Sequence, residues 1–176
     1  RYKFSRGIKI TPEAIVENTL KFNCKSIAWT YNEPTIHLPF NKKTSLLARQ
    51  KNLKVIYVTN GYFSDKSIEE VLGFVDAFNI DLKSMSADFY KKVCRADLDV
   101  VLDNIKRVYD EGKHLEITNL IINDYNDSIS QISALCDFVL EELGPEVPLH
   151  FSRAFPYYKM NDIEPTRAEI LYKARS

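Results

Sequence analysis

Short β-rich runs alternate with amphipathic helical segments along this chain, and that alternation restricts the fold to one built around a parallel sheet. Five runs can be read as strands, covering 26–31, 54–60, 77–82, 114–122 and 148–155. The intervals between them are long enough for crossover helices, which parallel neighbours require.

The helices carry their own punctuation. Thr11 is placed to cap a helix with Pro12 at its first position, and Thr166 with Glu169 three residues later reads as a capping box. Leu98, Val101, Leu102, Ile105, Val108 and Tyr109 repeat at the spacing of one buried helix face, closed by Gly112. A second such face runs through Ile132, Leu135, Cys136, Val139, Leu140 and Leu143, ending at Gly144 and Pro145. Shorter helices are predicted over 67–73 and over 86–93, the latter with Phe89 and Val93 inward. No repeat beyond the βα unit and no linker interrupts the pattern. The chain is therefore expected to be one α/β domain over 1–176, either an open sheet or part of a barrel.

Composition narrows the functional classes. Lysine plus arginine and aspartate plus glutamate both number 24 in 176 residues, so no global field draws the chain to nucleic acid or to an anionic membrane. No apolar run reaches the roughly 20 residues of a membrane span, and residues 1–10 lack the core of a signal peptide. A soluble, cytoplasmic protein is expected. Cys24, Cys94 and Cys136 are odd in number and far apart, which argues against both a disulfide framework and a closely spaced metal motif. They are expected to be buried as small apolar residues. His37, His114 and His150 share no metal-ligand spacing.

In a parallel α/β fold the ligand site lies at the carboxyl ends of the strands. The residues leaving the strands are thus the candidates: Tyr31, Asn32, Glu33 and Pro34; Thr59, Asn60 and Gly61; Asp81, Leu82 and Lys83; Asn119; and Arg153. Asn32 and Glu33 offer an amide and a carboxylate, but the same residues before proline also make an ordinary turn. Asn60-Gly61 is likewise a strong turn dipeptide. Asp81 and Lys83 stand two apart on a strand end, so both point to one side, as a ligand contact or as a rim ion pair. Tyr157, Tyr158 and Lys159 could close over a purine or simply pack, and Trp29 and Phe151 read as core.

Taken together and in order, residues 27–35, 58–62, 79–84 and 150–153 resemble the radical SAM proteins related to pyruvate formate-lyase activating enzyme, particularly the AmmeMemoRadiSam system subgroup. The resemblance extends from about Ile10 to Ala174. It implies a partial (β/α)6 barrel whose second to sixth strands are the five read here, the first being absent from the chain. It also implies S-adenosylmethionine and a 4Fe-4S cluster as cofactors, with a reducing donor such as flavodoxin or ferredoxin. The family's C-x3-C-x2-C cluster motif does not occur in the chain and is expected upstream of Arg1.

By resemblance, Asn32, Glu33 and Pro34 replace a Gly-Gly-Glu-Pro rim, with Glu33 near the methionine ammonium. Thr59 and Asn60 would line the methionine and ribose region, and Asp81 and Lys83 would contact ribose and carboxylate. Arg153 completes the cofactor-binding set, and Phe155 stands where many relatives carry histidine. The implied activity is reductive cleavage of S-adenosylmethionine to a 5'-deoxyadenosyl radical, as in glycyl-radical activases. This chain by itself is expected to bind neither cofactor and to be inert. Two alternatives remain at this level: a non-catalytic barrel scaffold binding a nucleotide-like ligand or a protein, and a lyase or aldolase with Lys83 as Schiff-base nucleophile.

Overall fold

The computed structural model describes residues 8–158 and 160–175. Five strands, β1 (Ser26–Trp29), β2 (Lys54–Thr59), β3 (Ala77–Asp81), β4 (His114–Ile121) and β5 (Leu149–Arg153), form one sheet in chain order, all parallel. Each crossover between strands carries helix: α2 (Leu38–Arg49), α3 (Asp65–Leu72), α4 (Ala87–Phe89) with α5 (Leu98–Asp110), and α6 (Ile129–Phe138). Helices α1 (Pro12–Lys21) and α7 (Ala168–Arg175) flank the sheet sequence. The five expected strands are thus present, each ending a residue or two before its predicted limit.

Burial along the strands shows which face the helices cover. Val55, Tyr57 and Thr59 of β2, Phe78 and Ile80 of β3, and Leu115, Ile117, Asn119 and Ile121 of β4 are buried, whereas the residues between them are only partly so. The covered face packs on Ile68 and Val71 of α3, Val101, Ile105 and Val108 of α5, and Leu135 of α6. Tyr57 meets Phe74 and Phe78 edge-on at ring-centroid distances of 5.9 and 6.2 Å, an arrangement that aromatic quadrupoles favour. On the other face Ala28, Ile56, Val58, Asn79, Glu116 and Thr118 stay open or half-open. Parallel sheets are normally covered on both sides, whereas here one face is left open among the described residues.

Several local expectations hold. Thr11 accepts from the Ala14 amide at 3.2 Å with Pro12 opening α1, and Gly112 takes φ +65° just beyond α5. Others are corrected. Helix α2 has no legible apolar stripe because its buried positions are Asn41, Thr44, Ser45 and Ala48. The 86–93 segment turns into a π-helical turn at Tyr90–Cys94, and the extra residue rotates Tyr90 inward and leaves Val93 41 % exposed. The same wide turn at Val139–Leu143 exposes Leu140 while burying Leu143. Tyr109 also lies outside the buried stripe of α5.

No capping box forms at Thr166. Its hydroxyl donates to the Ile121 carbonyl and accepts from the Ala154 amide, tying the ends of β4 and β5 to the segment that leads into α7. Nor are the cysteines core residues: Cys24 is exposed, and Cys94 and Cys136 are half-buried. Trp29 and Phe151 are half-buried, packing against the core, and the Trp29 indole donates to Ser45 Oγ at 3.1 Å. No helix among the described residues is long and apolar enough to cross a membrane.

Gly61, just after β2, is the one glycine the packing demands. It takes φ +71°, and a Cβ there would lie 2.8 Å from Ile80 Cγ2. Asn104, buried in α5, holds the same turn by donating to the Gly61 and Phe63 carbonyls, each at 3.0 Å. Asn104→Ala is expected to lower unfolding stability by about 1–3 kcal/mol, because it strips donors from buried carbonyls. Gly61→Ala should destabilise as well, and urea titrations of both variants check this.

Candidate cofactor site

The carboxyl ends of β1, β2 and β3 meet around a pocket of about 280 Å³ lined by Thr30, Tyr31, Asn32, Glu33, Val58, Thr59, Asn60 and Asp81. Five of the eight residues proposed from sequence as cofactor contacts therefore share one cavity. Pro34 is buried behind it, lining a neighbouring pocket with Asn32 and Glu33. Lys83 joins through Asp81, its Nζ lying 2.9 Å from Asp81 Oδ2 with both side chains partly shielded. That contact makes the amine a partner in an ion pair rather than a free nucleophile.

Glu33 is the hub of the site. Its side chain caps the short 3-10 turn Pro34–His37, accepting from the Thr35 amide at 3.3 Å and from the Thr35 hydroxyl. It also reaches across to the next loop. Thr59 Oγ1 donates to its two carboxylate oxygens at 2.8 and 3.0 Å, and the Asn60 amide donates at 2.9 Å. A carboxylate has about four lone-pair sites, so these donors use nearly all of its capacity. Glu33 thus welds the loops after β1 and β2 together, and a ligand ammonium would have to share it with them. Asn60 also folds its own loop, its Oδ1 accepting from the Tyr62 amide at 2.9 Å.

Arg153 is not brought to this pocket. It pairs in register with Ile121 on the helix-covered face, two strands from β3, roughly 10 Å by inter-strand spacing. Its Nε donates to the Thr166 carbonyl at 2.6 Å, and its guanidinium lies 5.0 Å from the Phe155 ring centroid, so Phe155 serves as a cation-stacking surface. Tyr157 and Tyr158 are exposed on the loop beyond, and Lys159 lies outside the described residues.

Of the supporting residues Asn119 was already a strand-end candidate, whereas Asn126 and Tyr90 were not. Asn119 donates to the Leu82 carbonyl at 2.7 Å, and Asn126 to the Lys83 and Leu120 carbonyls at 2.6 and 2.9 Å. The Tyr90 phenol accepts from the Lys83 amide at 3.0 Å, and burial pushes that phenol well above its ordinary range. Together they position the Asp81–Lys83 strand end from behind. The available signal was an asparagine at an apolar position of an amphipathic pattern, as at Asn104 and Asn119.

Lower on the open face, Glu116 accepts from His114 Nε2 at 3.1 Å and His150 Nε2 at 2.9 Å, with Asn79 at 3.3 Å. The hydrogen bond from His114 is the main influence holding its carboxyl below the usual carboxylate range, with His150 and Asn79 adding to it against burial. Among the described residues no group of His, Cys, Asp or Glu could hold a metal ion. The donor set of the pocket, amides, hydroxyls and carboxylates, fits the polar groups of S-adenosylmethionine. It does not fit an iron–sulfur cluster, which needs thiolates.

A half-covered parallel sheet with a polar pocket at its carboxyl end defines an α/β domain of the partial-barrel type. Residues 1–139 match the family model of the Radical SAM superfamily, and the chain belongs to that superfamily. It is 45% identical, over 96% of its length, to an uncharacterized protein of Methanocaldococcus jannaschii, of which it covers 50%. It is 25% identical, over 65% of its length, to the (2S)-3-sulfopropanediol dehydratase activating enzyme of Klebsiella oxytoca, covering 36% of that protein. The chain therefore spans half or less of these curated relatives.

Among solved structures, S-adenosylmethionine-bound SuiB of Streptococcus suis aligns with 99% of the chain and 41% of its own, at TM-score 0.74 and 15% identity. A domain of pyruvate-formate lyase-activating enzyme from Bacteroides vulgatus aligns at TM-score 0.66 and 20% identity, covering 85% of this chain and 89% of that one. These likenesses show the fold, a partial TIM-like barrel.

A depressed carboxyl stabilises the fold above its unfolded value and loses that contribution as pH falls through the folded one. Stability should therefore drop as pH falls below about 4.5, and Glu116→Gln should flatten that part of the profile, read from urea midpoints between pH 3 and 6. Glu33→Gln is expected to cost about 1–3 kcal/mol, since its amide NH2 would face the Thr59 and Asn60 donors.

Proposed function

We propose that this pocket cradles S-adenosylmethionine and that the full-length protein is a radical SAM enzyme of the activating type, abstracting hydrogen from a protein substrate. The observation that carries the reading is the convergence of Asn32, Glu33, Thr59, Asn60 and Asp81 on one carboxyl-end pocket in a chain of this superfamily. Likeness to an activating enzyme in sequence supports the narrower assignment. When bound, S-adenosylmethionine and a 4Fe-4S cluster would supply the chemistry of reductive sulfonium cleavage.

The residues of this chain bind and orient. Asp81, on the open face, is positioned to accept from ribose hydroxyls, with Lys83 neutralising it and offering its remaining donors to the methionine carboxylate. Asn32 and Asn60 present amides beside them, and Glu33 keeps the two loops in register while sharing an oxygen with the methionine ammonium. Val58 supplies an apolar stretch of the pocket wall beside them. The cluster ligands are assigned to cysteines upstream of Arg1, and a flavodoxin or ferredoxin is the proposed electron donor.

Full-length protein reconstituted anaerobically with iron and sulfide, then reduced, is expected to convert S-adenosylmethionine to 5'-deoxyadenosine, quantified by chromatography. The double variant Asp81→Ala, Lys83→Ala should lose at least tenfold in rate. Turnover undiminished in that variant would overturn the site assignment, and no 5'-deoxyadenosine from wild type would overturn the reading as a whole.

A further inference from the structure

Tyr31 combines two features that folding alone does not explain. Its backbone takes φ +73°, a left-handed conformation that a bulky side chain adopts only at a cost, and its side chain is 99 % exposed. Among the described residues its ring makes no aromatic contact and its phenol no hydrogen bond, so no packing gain offsets the strain. The strain persists because both sides are fixed. β1 ends at Trp29, whose indole is bonded to Ser45, and Glu33 is pinned to Thr59 and Asn60. In the rim that the sequence resembles, this place belongs to a glycine, the residue that adopts such a φ freely.

A strained, fully exposed aromatic at the lip of a ligand pocket points to a use for the ring. Tyr31 lines the pocket together with Glu33 and Asp81, and since Lys83 offsets Asp81, the charge of Glu33 leaves the mouth net negative, which favours a cationic occupant. The face of a tyrosine ring is electron-rich and attracts cations within about 6 Å of its centroid. Resting on the reading of the pocket as an S-adenosylmethionine site, we infer that Tyr31 is a positioning residue that closes over the bound cofactor and places its ring against the sulfonium. The ring contact is what the strained backbone serves, and it selects the charged cofactor over its neutral thioether analogue.

The test uses full-length protein carrying its cluster, with S-adenosylmethionine and S-adenosylhomocysteine as probes in anaerobic calorimetry. Tyr31→Phe should keep both affinities within about twofold. Tyr31→Leu should weaken S-adenosylmethionine about 5- to 30-fold, the range of a partly desolvated cation–π contact, while weakening S-adenosylhomocysteine less than about threefold. Tyr31→Gly should leave the melting temperature of the cofactor-free protein unchanged or raise it by up to about 4 °C, while weakening S-adenosylmethionine as the leucine variant does.

Equal losses for the two probes in Tyr31→Leu would overturn the inference, as would a lowered melting temperature in Tyr31→Gly with affinity intact, the mark of a structural role. Wild-type protein that binds neither probe would overturn the proposed function and this inference together. Wild-type binding that Tyr31→Leu leaves unchanged would overturn this inference alone.

Discussion

Backbone carbonyls at the carboxyl ends of the strands lie where the sheet stops satisfying them, and buried asparagine amides take over that task. Asn41 donates to the Pro34 carbonyl at 2.8 Å, Asn104 to Gly61 and Phe63, Asn119 to Leu82, and Asn126 to Lys83 and Leu120. Asn41, Asn104 and Asn119 reach these loops from neighbouring helices and a strand, and Asn126 from the loop after β4. A buried carbonyl without a donor costs as much as a lost hydrogen bond, so these contacts are conditions for burying the loops at all. Loops held at their backbones are rigid enough to present side chains at defined positions, and the pocket after β1, β2 and β3 depends on that rigidity.

Within the rigid frame, the charges of the site are arranged to offset one another. Glu33 spends its lone pairs on four groups of the protein, and Asp81 is matched by Lys83. An ion pair this accessible contributes little to stability. Its effect is positional: it holds a carboxylate and an ammonium side by side at the edge of the cavity. Tyr31 is the exception to this economy, because its ring satisfies nothing among the described residues.

The asymmetry of the sheet explains where the site can be. Helices α3, α5 and α6 bury one face in a continuous core, and the opposite face carries Val58, Asn79, Asp81, Glu116 and Thr118 half-exposed. Polar residues can survive there because that face is not packed. The fold therefore divides its two faces, with the packed core on the helix side and half-exposed polar groups on the open side. The likeness to solved radical SAM structures extends over 85 to 99% of the chain.

Strand number, parallel pairing and the strand-end candidates were legible in the sequence, because β-rich runs spaced by crossover helices allow few other arrangements. So was the Asp81–Lys83 pairing, since alternation along a strand end puts i and i+2 on one side. Helix α2 was not, because its buried side chains are Asn41, Thr44, Ser45 and Ala48, and periodicity detects only apolar stripes. The inward turn of Tyr90 was hidden by a π-turn, which shifts the phase of a helix without changing its composition. Tertiary structure alone decided that Glu33 would weld two loops, that Arg153 would bind Thr166 instead of the pocket, and that Tyr31 would stand strained at its mouth. Those outcomes depend on which atoms meet across strands distant in sequence, and local patterns of polarity carry no record of such meetings.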